Sequence, residues 1–159
     1  FQDCVIGKAD LKEELKSYFQ EWHWQGSLEE ILNFWFNEKY NIIDERFFTL
    51  IEKIREKNIK CCLATNNEKY RAENLIIERG VGKYFDLILT SNSFLCKKPE
   101  TKFYEKILEN LPNIKKEEIL FWDDDAKNIE KAEAFGFKTK IYTDFAEFKK
   151  TIENLNDLN

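Results

Sequence analysis

The chain has 159 residues, of which 43% are hydrophobic and 35% are charged, the proportions of a globular domain with a buried core. Its formal net charge of −5 argues against a nucleic-acid partner, because contact with phosphate backbones requires a basic face. No apolar run has the length of a membrane span, and no basic segment leads into an apolar stretch at the start, so we expect no membrane partner and no signal peptide.

The first third of the chain predicts three helices, each opened by a residue that can cap its N-terminus. Asp10 and Glu13 have the spacing of a capping box, as do Ser27 and Glu30, and Asp44 can cap the third helix. Behind each cap, apolar residues recur every three or four positions, which is typical of a helix with one buried face. These positions are Leu11, Leu15, Tyr18 and Phe19, then Leu28, Ile31, Leu32 and Trp35, then Phe47, Leu50, Ile51 and Ile54.

The remainder of the chain predicts strands that alternate with helices. Short apolar runs indicate buried strands at 59–65, 85–90, 119–122 and 138–142. Helices are predicted from 68 to 79, from Pro99 onward, from 127 to Gly136, and after Asp144. This alternation indicates crossover connections, so the expected fold class is α/β, a Rossmann-like parallel sheet with helices on both faces. We place the boundary between a helical part, 1–43, and the α/β part, 44–159.

Polar residues follow the first two strands at the sheet edge where ligands bind in open parallel sheets. The first strand ends on Thr65, and Asn66 and Asn67 follow at the start of a helix, where free N–H groups favour an anion. Lys97 and Lys98 lie on the loop after the second strand and could neutralise a phosphoryl group. Taken singly, these features are better explained by helix capping and by solvent-exposed lysines.

The third strand runs into three consecutive carboxylates, Asp123, Asp124 and Asp125. Such carboxylates repel one another and lose solvation at the end of a buried strand, which favours a bound divalent cation over one capping aspartate and two surface ones. The hydroxyl of Thr65, the ammonium group of Lys98 and the acid pair therefore meet at one edge. Together they can hold a phosphoryl group and stabilise its charged transition state.

Three segments have the order and spacing of motifs two to four of the haloacid dehalogenase-like (HAD) superfamily of hydrolases, which the chain resembles over about residues 44 to 145. They are CCLATNN at 61–67, KKPETKFYEKIL at 97–108 and FWDDDAKNIEKAEAFG at 121–136. The helical part before them resembles the end of the α-helical cap that these enzymes insert between motifs one and two. The resemblance implies a HAD core joined to a remnant of that cap.

The resemblance also implies a role for each motif residue. Thr65 and the N–H of Asn66 would hold the phosphoryl oxygens, and Lys98 would be the catalytic lysine that neutralises nucleophile and phosphate. Asp124 would be the direct Mg²⁺ ligand, with Asp123 supporting it directly or through water.

Two further positions after the acid pair have less definite roles. Asn128 matches a frequent asparagine of the family and is expected to support the loop. Asp125 stands where Ser or Asn is common, and its role is left open.

The first motif of the family, an apolar strand leading to Asp-x-Asp, has no counterpart in this sequence. The early aspartates Asp3 and Asp10 do not follow an apolar strand. We therefore expect an N-terminally truncated chain that lacks the nucleophile and is inactive alone. The family's central first strand lies between the second-motif and fourth-motif strands, so we also expect a gap in the sheet at that place.

The function that the resemblance implies is a Mg²⁺-dependent phosphatase acting on a small phosphorylated metabolite, a sugar phosphate or a nucleotide. A non-catalytic binding protein on the same scaffold, a dehalogenase and a phosphomutase remain alternatives. A receiver domain of two-component signalling is excluded, because its acid pair comes first and its lysine last, whereas here Thr65 precedes Lys98 and Asp123.

Several residues are expected to have structural roles. The four cysteines form no C-x-x-C pair and are expected to be reduced in a cytoplasmic protein. Trp22, Trp24, Trp35 and Phe36 are expected in the core, with residues 22–26 as a second possibility for substrate contact. The roles of His23 and the oligomeric state are left open.

Overall fold

The computed structural model describes residues 1–156 and contains short helices followed by an α/β region. The helices of the first third are α1 (Gln2–Val5), α2 (Leu11–Tyr18), α3 (Leu28–Trp35) and α4 (Arg46–Arg55). The strands are β1 (Cys62–Thr65), β2 (Leu87–Thr90), β3 (Leu120–Asp123) and β4 (Lys138–Ile141). The remaining helices are α5 (Lys69–Glu73), α6 (Ser91–Phe94), α7 (Thr101–Glu109), α8 (Ala126–Phe135) and α9 (Phe145–Asn156).

The four predicted strands are confirmed and pair in parallel, but they form two sheets. β1 pairs with β2 so that Thr65 lies beside Thr90, and β3 pairs with β4 so that Asp123 lies beside Ile141. Among residues 1–156, no strand pairs with both β1 and β3, so the four strands form two separate two-stranded sheets. This arrangement has the gap that the missing first motif led us to expect.

Helices cover both faces of the strands, as predicted. The largest cluster of buried side chains is formed by α7, α8 and the strands, and Cys62 packs against it. Cys61 packs instead against a cluster that joins α4 and α9. The two neighbouring cysteines therefore point to opposite faces, because side chains alternate along a strand. The buried members of the largest cluster are Leu89, Cys96, Phe103, Tyr104, Ile107, Leu111, Phe121, Ala132 and Phe137.

The helix caps agree with the sequence patterns except at Glu13 and Asp44. The N-cap of α4 is Glu45, which makes no side-chain cap, although the carboxylate of Asp44 accepts from the N–H of Arg46 at 3.1 Å. Ser27 accepts a hydrogen bond from the N–H of Glu30, whose carboxylate accepts one from the N–H of Ser27, so this capping box is confirmed. Asp10 accepts hydrogen bonds from the first amides of α2. The carboxylate of Glu13, however, binds Lys16 on the exposed side of the helix, so the box predicted there is only half formed.

The helix predicted at 68–79 is correct in extent but changes geometry within. α5 continues into a π-helical segment, Asn74–Glu78, after which the amide of Arg79 donates to the carbonyl oxygen of Asn74 at 2.9 Å. Gly80 follows with φ of +67°, a conformation that favours glycine at a helix end. Helix α7 begins two residues after Pro99, and α1 and α6 are short helices that no sequence pattern predicted.

The prediction that the aromatic side chains of the first third lie in the core is wrong for three of the four. Trp22, Trp24 and Trp35 are all exposed, whereas Phe36 packs against the cluster of α1, α2 and α3. Helix α3 has only eight residues, and the aliphatic side chains of its inner face, Leu28, Ile31 and Leu32, already fill the contact with α2.

All four cysteines are free thiols. No helix within residues 1–156 has the length and apolar character needed to cross a membrane.

Candidate active site at the carboxyl ends of the strands

The loop that follows β1 is tied to the loop before α7 by one side chain. The amide group of Asn66 accepts a hydrogen bond from the N–H of Lys98 and donates one to its carbonyl oxygen, each at 3.0 Å. Asn67 donates to the hydroxyl oxygen of Thr65 at 2.7 Å. The sequence indicated either phosphoryl binding by the backbone N–H of Asn66 or capping of α5 by an asparagine. The N-cap of α5 is Glu68 instead, and the Asn66 amide pairs with the Lys98 backbone in both directions.

Lys98 connects the two sheets. Its ammonium group donates to Oδ2 of Asp123 on β3 at 2.6 Å and to the carbonyl oxygen of Ala64 on β1 at 3.0 Å. The side chains of Lys98 and Asp123 are only 11% and 4% exposed. A positive charge is therefore held at the carboxyl ends of both strands and is shielded from water, where its electrostatic effect is largest.

Asp123 is held by hydrogen bonds on both carboxylate oxygens. Its Oδ1 accepts from the N–H of Asp125 and from the side-chain amide of Asn128, each at 2.9 Å, while Oδ2 binds Lys98. Burial raises the pKa of Asp123, but the hydrogen bonds from Lys98, Asn128 and the Asp125 amide together lower it below its ordinary value. Asp123 is therefore a carboxylate with a fixed orientation.

Asn128 is buried between the acid pair and the core. Besides its bond to Asp123, its carbonyl oxygen accepts a hydrogen bond from the buried hydroxyl of Tyr104 at 2.9 Å. The loop after β3 is thereby attached to α7.

The two remaining acids of the triplet differ in their contacts. Asp125 caps α8 by accepting from the N–H of Lys127 at 2.8 Å, which is a structural role. Asp124 is exposed, and none of its contacts within residues 1–156 is a hydrogen bond or an ion pair.

The donor set fits Mg²⁺ in part. Within the described residues, no group of three or more His, Cys, Asp or Glu side chains is placed to hold a metal ion. The free carboxylate of Asp124 has the oxygen chemistry that Mg²⁺ prefers, while both oxygens of Asp123 are already bound by donors. These two acids can supply part of an octahedral shell, and water and phosphate oxygens commonly supply the rest.

Two cavities adjoin these residues. A cavity of about 270 Å³ lies against Lys98, Asp123 and Asp124, and its other walls are aromatic: Phe47, Trp122, Tyr142 and Phe148. A second cavity, of about 150 Å³, is lined by Asn66 and Asn67 and by the aromatic side chains of Trp35 and Phe36.

The residues predicted to act together are therefore close in space, with one exception. Lys98 donates hydrogen bonds to Asp123 and to the side chain of Asn66, and Asp124 lines the same cavity as Lys98 and Asp123. Residues 22–26 line neither cavity, and His23 is exposed and outside the site. Aromatic contact to a bound molecule is instead available from Trp35 and Phe36, on α3 and its C-cap.

The fold and these motifs are those of HAD-type proteins. The family of haloacid dehalogenase-like hydrolases matches residues 8–141, and the chain belongs to that family.

Individual relatives carry names that bear on the chemistry. The chain is 28% identical over 92 residues to a phosphorylated carbohydrates phosphatase of Thermotoga maritima, a match that spans 58% of this chain and 42% of the relative's length. A HAD-like family hydrolase from Porphyromonas gingivalis has a similar structure, with a TM-score of 0.81, 19% identity and coverage of 99% of this chain and 78% of that one. A HAD family enzyme from Bacteroides thetaiotaomicron, solved with magnesium and inorganic phosphate, has a TM-score of 0.80, 20% identity and coverage of 93% and 79%.

Proposed function

We propose that this chain is part of a Mg²⁺-dependent phosphatase that acts on a small phosphorylated metabolite, a sugar phosphate or a nucleotide. The observation that carries the proposal is the buried ammonium group of Lys98, which lies between the carboxyl ends of β1 and β3 beside an acid pair. A named phosphatase among the relatives, and magnesium and phosphate bound to a structural neighbour, support it.

In this proposal each motif residue has one role. The hydroxyl of Thr65 and the N–H of Asn66 bind the phosphoryl oxygens, and Lys98 neutralises the charge that develops during transfer. Asn128 keeps the carboxylate of Asp123 oriented. Magnesium bound by Asp124, with Asp123 beside it, would supply further positive charge at the phosphoryl oxygens.

The nucleophile is proposed to be an aspartate outside the 159 residues. No apolar strand of this sequence leads to an early Asp-x-Asp, and among the described residues β1 and β3 belong to different sheets. A strand between them would place its carboxyl end beside Lys98. We likewise propose that 1–43 belongs to a helical cap and 44–159 to the core, and that the protein, with its four free thiols, works in the reducing cytoplasm.

Phosphate binding tests the site without requiring turnover. Isothermal titration of the chain with inorganic phosphate in excess magnesium should detect binding, and Lys98→Met should weaken it about tenfold, because a charge-assisted hydrogen bond is lost. Lys97→Met is the matched control, since within residues 1–156 the ammonium group of Lys97 makes one hydrogen bond, to Gln2 on the exposed side of the same loop, and the variant should bind phosphate as the parent does. Equal weakening by both substitutions would contradict the proposed role of Lys98.

A non-catalytic binding protein on the same scaffold is the second candidate. The absence of a strand leading to Asp-x-Asp within this sequence is the observation that favours it. Phosphate binding alone does not separate the two candidates, whereas turnover after a nucleophile-bearing strand is supplied does.

A further inference from the structure

The cavity of about 150 Å³ extends from the proposed phosphoryl-binding loop into the helical first part of the chain. Its walls include Asn66 and Asn67 on one side and Trp35, Phe36 and Asn41 on the other, with Arg71 of α5 between them. Since Asn66 lines this cavity, the leaving group of a substrate held by Thr65 and the Asn66 amide would lie in it. The side chains that line it therefore bear on which leaving groups are accepted.

Arg71 has unused hydrogen-bonding capacity in this cavity. Its Nη2 donates to the side-chain oxygen of Asn41 at 2.5 Å, and its guanidinium carbon lies 5.5 Å from the centre of the Phe36 ring. Its Nη1 is buried and has no hydrogen-bond partner within residues 1–156, so an anion in the cavity reaches it through a turn of the guanidinium group. Within residues 1–156, Arg71 forms no salt bridge, so a guanidinium nitrogen withdrawn from water has no acceptor.

The charges around Arg71 increase the demand for an acceptor. Arg79 donates to the backbone carbonyl oxygen of the same Asn41 at 2.6 Å. The guanidinium group of Arg79 also lies 3.7 Å from the carboxylate of Glu38, whose side chain is 79% exposed. Burial, and then the charge of Arg79, lower the pKa of Arg71 below its ordinary value.

One carboxylate also lines the cavity. Glu68 is buried, and its two oxygens accept hydrogen bonds from the N–H groups of Tyr70 and Arg71 as the N-cap of α5. Its charge offsets that of Arg71 in part, but its oxygens face the helix amides and do not bind the guanidinium group. Among the side chains that line the cavity, Arg71 carries the positive charge and Glu68 the negative one, and the oxygens of Glu68 are occupied by the helix amides.

We propose that Arg71 is a specificity-determining residue that binds a second anionic group, a carboxylate or a phosphate, on the leaving group of the substrate. The proposal rests on the phosphatase function proposed above, because the first phosphate must occupy the loop at Thr65–Asn67. It narrows the substrate class to phosphomonoesters with two anionic ends. A guanidinium group with free N–H donors is the side chain best suited to both kinds of oxyanion.

Matched ligand pairs test this inference on the unmodified chain. Isothermal titration in excess magnesium compares glycerol 3-phosphate with 3-phosphoglycerate, which differ by a carboxylate, and fructose 6-phosphate with fructose 1,6-bisphosphate, which differ by a phosphate. At least one doubly anionic ligand should bind about tenfold more tightly than its partner, the gain of a charge-assisted hydrogen bond. Which pair shows the preference identifies the second group as a carboxylate or a phosphate.

Substitution then assigns the preference to Arg71. Arg71→Met should reduce the affinity ratio within the preferred pair to about one, and Arg71→Lys, which keeps the charge, should retain part of it. Arg46→Met is the control, because Arg46 pairs with Asp44 on the surface and lies outside both cavities. Circular dichroism of each variant establishes that it is folded.

The outcomes separate this inference from the proposed function. If all four phosphomonoesters bind and neither pair differs, or if Arg71→Met leaves the ratio unchanged, the inference is overturned and the phosphatase proposal stands. If none of the ligands binds and inorganic phosphate does not bind either, both are overturned.

Discussion

Lys98 and Asp123 form a buried ion pair at the carboxyl ends of β1 and β3. Removing both charges from water is costly, and the two charged groups make three additional hydrogen bonds, to the carbonyl oxygen of Ala64, the N–H of Asp125 and the side chain of Asn128. A pair of this kind is replaced in many cores by apolar residues without loss of stability. Its presence at a sheet edge therefore indicates a functional role.

Breaking this pair from one side should be strongly destabilising. Lys98→Met leaves the carboxylate of Asp123 buried and without its cation, and we expect the free energy of unfolding to fall by about 3 kcal/mol. Urea denaturation measures the change, with Lys97→Met as the control within about 0.5 kcal/mol of the parent. The double variant Lys98→Met/Asp123→Asn should recover part of the loss, because no uncompensated charge remains. Additive losses in the double variant would show that the two side chains are not coupled.

At the scale of elements, Asp86 joins the start of β1 to helix α4. Its carboxylate accepts from the N–H of Cys61 at 2.8 Å and from two nitrogens of Arg55, at 2.8 and 3.1 Å. Burial raises the pKa of Asp86, but these donors outweigh it and lower the pKa below the ordinary value. The contact fixes the position of α4 on the strands, and Phe47, on the same helix, lines the cavity beside the acid pair.

The lowered pKa of Asp86 predicts a pH-dependent contribution to stability. The folded state favours the carboxylate, so the contribution is complete above about pH 4, the ordinary value for aspartate, and is lost as the pH falls through the lower folded pKa. We expect Asp86→Asn to lower the free energy of unfolding by about 1–2 kcal/mol at pH 7 and by progressively less at acid pH. Urea denaturation as a function of pH measures the loss at pH 7 and at acid pH. The control is Glu109→Gln, in an exposed pair with Lys106, which should change the free energy of unfolding little at any of these pH values. A loss that is independent of pH would contradict this account.

The sequence patterns predicted the elements more successfully than their ends. Three strands lie inside the predicted runs, and β3 extends one residue beyond its run, to Asp123. Each strand is four residues long, since only those residues pair with a neighbour. The π-helical segment after α5 carries no sequence signal, because i to i−5 bonding depends on how the chain packs. The aromatic positions of α3 show the same limit: helical spacing identifies one face, but not whether another element covers it.

At the scale of the whole molecule, the separation of β1–β2 from β3–β4 is the main departure from a continuous sheet. The sheets are joined through Lys98 and through the shared core under α7 and α8. Both strands next to the gap have one edge that pairs with no strand among residues 1–156. Unpaired strand edges bind extended segments readily.

A peptide strand should therefore restore both order and chemistry. We expect a synthetic peptide with about five apolar residues followed by Asp-x-Asp to raise the midpoint of urea unfolding, because it can pair with β1 and β3 together. With excess magnesium, the mixture should hydrolyse p-nitrophenyl phosphate, whereas the chain alone should not. The matched peptide ending in Asn-x-Asn should stabilise the chain without turnover. Hydrolysis by the chain alone would falsify the proposal that the nucleophile lies outside it.

The sequence by itself determined the α/β class, the parallel pairing and the set of residues at the strand ends, because hydrophobic periodicity and the order of motifs along the chain are properties of local sequence. Only the tertiary structure decided how those residues are used: that Lys98 bridges two sheets, that Asn66 holds the Lys98 backbone, and that Arg71 has a nitrogen without an acceptor among the described residues. The hydrogen bonds join residues about 25 to 34 positions apart in the chain, and the free nitrogen depends on which groups lie near it in space. A local pattern of hydrophobic and polar residues records neither.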